Sequence, residues 1–189
     1  PEYAHSFEAI IKYQTSQLQA HLSYFLMKGS NLLDWVKFAP TETLFTSHNI
    51  SELTNQGIEA GLTLRLGQYL PLLGDGSKLS LDYLYMTQRH HAPGVAVSKY
   101  ALNYLRHKFT TQLSHQLSKR VEALWALRYQ DRVNQPSPFA TLDLKVDYLV
   151  NQHLRVGLEM NNLTDTQYSD IAGVPQPGFW LSGNISYRL

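Results

Sequence analysis

The sequence has no cysteine. That excludes a disulfide-stapled scaffold and a thiolate metal centre, and it is compatible with passage through an oxidising compartment. No apolar run approaches the roughly eighteen residues that a membrane-crossing helix requires, and no helical period emerges anywhere along the chain. The formal net charge is only +1, so the basic stripe demanded by a nucleic-acid partner is missing. No G-x-S-x-G elbow or other nucleophile motif occurs, and neither an enzyme nor a cofactor is expected. The chain opens at Pro1 without an initiator methionine or a charged-then-apolar leader, and reads as processed, truncated or partial.

What the chain does have is aromatic residues, 12% of the total with twelve tyrosines, and a period of two. Both suit half-buried strands and membrane-interface belts. Phe7, Ala9, Ile11 and Tyr13 alternate with Glu8, Lys12 and Gln14 over residues 6–14. Leu18, Ala20, Leu22, Tyr24 and Leu26 oppose Gln19, His21 and Ser23 over 18–27. The pattern recurs over residues 49–66, 79–86, 121–130, 142–150, 154–160 and 179–189. Residues 100–113 are strand-like with conflicting phases, Leu102 and Tyr104 against Leu105, Phe109 and Leu113, which predicts a β-bulge. The expected fold class is therefore all-β, with nine antiparallel strands.

Connections alternate in length. The short set is 15–17, 71–77, 114–119 and 151–152, and the long set lies around 35–48, 89–97, 131–137 and 166–178. This is the asymmetry of outer-membrane barrels, and nine passes leave the last strand ending on the short-turn side. Alternation alone does not separate a lipid-facing barrel, with Glu8, Lys12, Arg65, Asp82, Glu122, Arg128, Asp143, Lys145, Asp147, Arg155 and Glu159 turned inward, from a soluble sandwich with those charges turned to water.

The end of the chain separates them. Asn162, Leu163, Thr164, Asp165 and Tyr168, then Gly173, Pro175, Pro177 and Gly178, then Gly183, Tyr187 and Leu189 resemble the closing signature of TonB-dependent outer-membrane receptors. Phe179 stands where that family commonly has arginine, and Leu189 where it usually has phenylalanine. The segment from Thr54 to Glu59 is also similar to a family phrase that opens a strand after an outer loop. The resemblance implies that residues 1–189 are the carboxyl-terminal part of a transmembrane β-barrel of about 22 strands, with the plug domain and earlier strands lying outside this chain. It implies the outer membrane of a Gram-negative bacterium, and active uptake of a scarce nutrient such as cobalamin, a siderophore or haem. The implied partners are outer-membrane lipid, the remaining strands and plug, the TonB energy-coupling complex and a surface lipoprotein. The phrase N-L-L-D-W-V at residues 31–36 resembles receptors of the vitamin B12 type.

Loop position and side-chain reach, not motif, single out Trp35, His48, Arg89, His90, His91, Arg132 and Gln176 as ligand-facing candidates. Trp35 equally suits an interfacial aromatic girdle. His90 and His91 lack a third ligand at usable spacing, so no metal site is expected. Two alternatives remain: a self-contained small β-barrel binding a hydrophobic ligand, and a passive porin.

Overall fold

A computed structural model describes residues 1–99, 104–133, 137–170 and 174–188, with Ser51 described by its backbone alone. The strands are β1 (Tyr3–Gln14), β2 (Leu18–Lys37), β3 (Thr46–Arg65), β4 (Lys78–His91), β5 (Val97–Ser98), β6 (Leu105–Ser118), β7 (Val121–Arg132), β8 (Phe139–Leu149), β9 (Leu154–Asn161) and β10 (Trp180–Tyr187). They form one antiparallel sheet in chain order, except that β5 skips its neighbours and pairs with β2. The nine long strands correspond one for one to the nine alternating segments of the sequence.

Side chains close the short turns. Thr15 Oγ1 accepts from the N–H groups of Gln17 and Leu18 at 3.3 and 3.0 Å, and Asn151 Oδ1 accepts from those of His153 and Leu154, both at 2.9 Å. Such local acceptors reverse the chain within two or three residues. The turn expected at 114–119 is tighter than its sequence suggests, because β6 runs on to Ser118 and only residues 119–120 connect it to β7. The bulge expected in β6 is present as register shifts between Leu105 and His107 and between Gln116 and Ser118. The conflicting residues 100–103 lie outside the described residues.

Two outer connections are shorter than expected, since β2 continues to Lys37, β3 begins at Thr46 and β4 continues to His91. The physical reason in β2 is Asn31, whose φ is +55°. A Cβ on Gly29 would lie 2.8 Å from Leu32 Cδ1, so Gly29 and Leu32, three positions apart, share a face. The left-handed residue between them reverses the alternation while pairing with β3 continues on both sides of it. Beyond Asn31, Leu32, Asp34 and Val36 carry on the face of Phe25 and Met27, and Leu33 and Trp35 take the other.

The two faces differ in chemistry. Phe7, Ile11, Tyr13, Leu22, Tyr24, Ile58, Tyr83, Tyr148, Leu158 and Ile185 share one face and are exposed, Ile11 to 73% and Ile185 to 77%. At the outer end Val36, Ile50 and Leu53 are buried. There residues 92–99 cross over β3 and β2, and β5 pairs with Val36 and Lys37. Asp34, 3% exposed, accepts from its neighbour's Trp35 N–H at 2.7 Å and from Ser98 Oγ, which pins this strap. Strands β1 and β10 do not pair with each other. Nine strands therefore do not close on themselves, and the self-contained small barrel falls away.

Candidate functional site

The register assembles a polar wall. Lys12, His21, Gly61, Asp82, Thr110, Arg128 and Thr141 are successive partners on seven neighbouring strands, all on one face. Gly61 gives the row its shape: a Cβ there would sit 2.6 Å from His21 Nδ1 and 2.8 Å from Asp82 Oδ1, so imidazole and carboxylate lean together over its bare backbone. Lower on the same face Arg155 bridges Glu122 and Asp147 at 3.3 and 3.8 Å, and Lys145 joins Asp147 at 3.7 Å. These pairs are half exposed and each stabilises the fold by less than about 1 kcal/mol. Their weight is in the mixed-sign surface they present. Asn55 Oδ1, Gln130 Oε1, Arg132 Nε, Asp147 Oδ1 and Asn161 Nδ2 are buried polar atoms without a hydrogen-bond partner. By strand alternation all five lie on this polar face, which therefore retains unused donors and acceptors.

The closing signature folds into a clasp at the outer end. Asn162 is 3% exposed and holds φ at +52°, Asp165 at +49°, conformations that Asn and Asp tolerate better than other non-glycine residues. Asn162 Oδ1 accepts from the Thr166 N–H at 3.0 Å and from Thr164 Oγ1 at 3.3 Å. Its Nδ2 donates to the carbonyls of Thr166 and Pro177 at 2.9 and 3.3 Å, and its own N–H donates to Asp143 at 2.7 Å. Asp165 Oδ1 accepts from the Phe179 N–H at 2.8 Å. A Cβ on Gly178 would meet that same oxygen, so a side chain there would push Asp165 off the Phe179 N–H. Tyr168 stacks on Phe139 at 4.6 Å, the Arg128 guanidinium lies 5.1 and 5.5 Å from the two rings, and Asp170 pairs with it at 3.2 Å. Gly173 and Leu189 lie outside the described residues.

The ligand-facing candidates are dispersed. Trp35 stands in β2 rather than in a loop, 49% exposed, and points away from the polar face. His48 is in β3 with its ring edge on Phe38 at 5.2 Å. Arg89, His90 and His91 are strand residues of β4, and alternation sends His90 to the polar face and its two neighbours to the apolar one. Arg132 ends β7 on the polar face. Gln176 is in the clasp, its N–H donating to the Tyr168 carbonyl at 2.9 Å. Among the described residues no group of three or more His, Asp or Glu is placed to hold a metal. The sequence reading missed Phe139 and Asp170, which no motif marks.

The TonB dependent receptor-like, beta-barrel family matches residues 1–163. The chain belongs to that family. The TonB-dependent receptor barrel superposes on the FrpB iron transporter from Neisseria meningitidis (TM-score 0.74, 18% identity, 98% of this chain and 31% of that one). It superposes equally on the copper transporter OprC (0.77, 15%, 99% and 30%) and on the siderophore receptor PirA from Acinetobacter baumannii (0.72, 13%, 99% and 32%). It thus spans about a third of the length of these solved structures. A search of curated protein sequences found no relative.

In a TonB-dependent receptor barrel the apolar face meets lipid and the polar face lines the lumen. The dimensions agree. Tyr3 and Tyr13 share the lipid face at ten residues' separation, about 33 Å of strand and about 25 Å of height at a tilt near 40°. Tyr83 and Tyr85 with His107 continue the upper band, Tyr83 Oη lying 2.8 Å from His107 Nδ1. Tyr148 and Tyr187 continue the lower one. Leu144 sits near the middle of β8. In the complete receptor, Leu144→Arg is expected to lower stability by about 2–4 kcal/mol, measured by urea unfolding in lipid vesicles, whereas Lys145→Gln on the lumenal side shifts it by less than about 1 kcal/mol.

Proposed function

We propose that this chain forms the closing strands of an outer-membrane receptor that takes up a scarce nutrient actively, using a plug domain and a TonB-type energy-coupling complex. The family match over residues 1–163 carries this reading. The polar lumenal wall, with its buried unpaired donors and acceptors, supports it, because such a wall suits a pore filled by water and protein. The structural neighbours are named for iron, copper and siderophores, which favours a metal ion or metal chelate over cobalamin. Of the candidate ligand contacts, His90 and Arg132 face the lumen at its outer end, and the clasp holds Gln176 at the same end. Trp35 and His91 lie around the rim, where a surface lipoprotein would reach them, and His48, the register partner of Asp34, shares the lumenal face.

The test is growth. A strain deleted for the gene is supplied with a ferric siderophore, haem or cobalamin as its limiting nutrient. The complete gene is expected to restore growth on one of them, and removal of the energy-coupling protein is expected to abolish it again. Growth that persists without that protein would make the barrel a passive pore.

A further inference from the structure

We propose that the lipid face carries a binding row for phosphate-bearing headgroups of the outer leaflet, formed by Lys28 and Arg89 with His5 and Thr54. This rests on the membrane reading above. The register makes His5, Lys28, Thr54 and Arg89 direct partners across β1, β2, β3 and β4. Alternation places all four on the face of Phe7, Leu26 and Tyr85. The four strands span about 15 Å at their usual spacing, the width of one or two lipid headgroups. The row directly below is Phe7, Leu26, Gln56 and Thr87, and the next is Ala9, Tyr24, Ile58 and Tyr85. On β2 and β4 the cations lie four residues outward of Tyr24 and Tyr85, and on β1 Tyr3 lies two residues outward of His5, so the row stands within the upper aromatic band, where acyl chains give way to headgroups.

Two observations separate this row from ordinary surface charge. Below it, on these four strands, the lipid face has no charged residue, and charge faces the lumen through Glu8, Lys12, Glu59 and Asp82. At the row the arrangement inverts: the flanking lumenal residues Ser6, Met27, Asn55 and Gln88 are uncharged. Second, His5, Lys28 and Arg89 are exposed and none is in an ion pair among the described residues. Glu52 and His91 face the row from above, a single carboxylate against the two fixed cations Lys28 and Arg89. Fixed cations at headgroup height, with a hydroxyl between them, match a phosphate monoester.

The complete receptor is reconstituted in phosphatidylcholine nanodiscs doped with diphosphorylated lipid A or with the same lipid stripped of phosphate. After re-extraction in mild detergent, retained lipid per protein is measured by mass spectrometry. The receptor is expected to retain the phosphorylated lipid only. The Lys28→Gln/Arg89→Gln variant is expected to lose retention on the order of 25-fold, about fivefold per cation, while Lys108→Gln on the lumenal wall matches the parent. Equal retention of both lipids, retention indifferent to the double change, or complete displacement by inorganic phosphate would overturn the proposal. The heat-modifiable gel band reports the barrel independently, and the single variants replace the double one if that band is lost. A receptor that never enters the bilayer defeats the membrane reading instead, and protease protection in the nanodisc shows which has failed.

Discussion

Asn162→Ala is expected to destabilise the complete receptor by about 3–4 kcal/mol, more than any other single change in the clasp. The amide makes four hydrogen bonds, two as donor and two as acceptor. Truncation strands the partly buried Thr166 N–H and the Thr166 and Pro177 carbonyls, and it leaves alanine at a φ of +52°. The two contributions separate by experiment. Asn162→Gly removes the hydrogen bonds but keeps the backbone conformation accessible, so it recovers about 1 kcal/mol of the loss. Urea-unfolding midpoints in detergent, followed by the heat-modifiable band, measure both. A midpoint unchanged in the alanine variant would show that the clasp does not hold β9 and β10 together.

The second large effect is expected at Gly57. A Cβ there meets Phe25 Cζ at 2.6 Å and also the Tyr85 carbonyl oxygen. A ring can swing away, whereas a carbonyl engaged in the ladder between β3 and β4 cannot. Gly57→Ala is therefore expected to cost about 3 kcal/mol, and adding Phe25→Ala is expected not to restore the loss. Gly61 provides the contrast, since its nearest neighbours are the far ends of His21 and Asp82. Gly61→Ala is expected to cost about 1 kcal/mol and to be rescued by His21→Ala. Equal rescue at both positions would mean that the backbone contact at Gly57 relaxes without penalty.

The sequence showed the fold clearly wherever a strand has lipid on one side and a polar lumen on the other. Tyr13, Leu22, Leu144 and Leu158 had to alternate with Lys12, His21, Lys145 and Gly157, because a one-residue slip would exchange every side chain between two unlike solvents. Above the upper band that constraint vanishes. Both faces of Arg89, His90 and His91 are wet, so β4 continues with no period left to read. In β2 the left-handed Asn31 inverted the phase and made a continuing strand look irregular. Strand β5 is two residues long and pairs with residues some sixty positions away, which no local pattern reveals. Asn162, Asp165 and Gly178 stand out in the sequence only by resemblance to a closing signature, whereas their roles in the fold are geometric: two positive φ angles and a close approach over Gly178. In the sequence the rim candidates fall in segments without alternation, which read as loops. Their actual positions on strand ends decide which way each one points, and this divides His90 from Arg89 and His91.

The strap that crosses from β4 to the far edge of β2 has a consequence for the order of assembly. Its two pairs, Val36 with Ser98 and Lys37 with Val97, form only after β3 and β4 have been laid down beside β2. They also require Asp34 to face Ser98, and Asp34 does so only if Asn31 has already inverted the phase. A β2–β3 hairpin mispaired by one residue would turn Asp34 outward and remove the acceptor of the Ser98 hydroxyl. Docking of residues 92–99 thus ties the outer end of β4 to the far edge of β2, and this contact is compatible only with the correct register of β2.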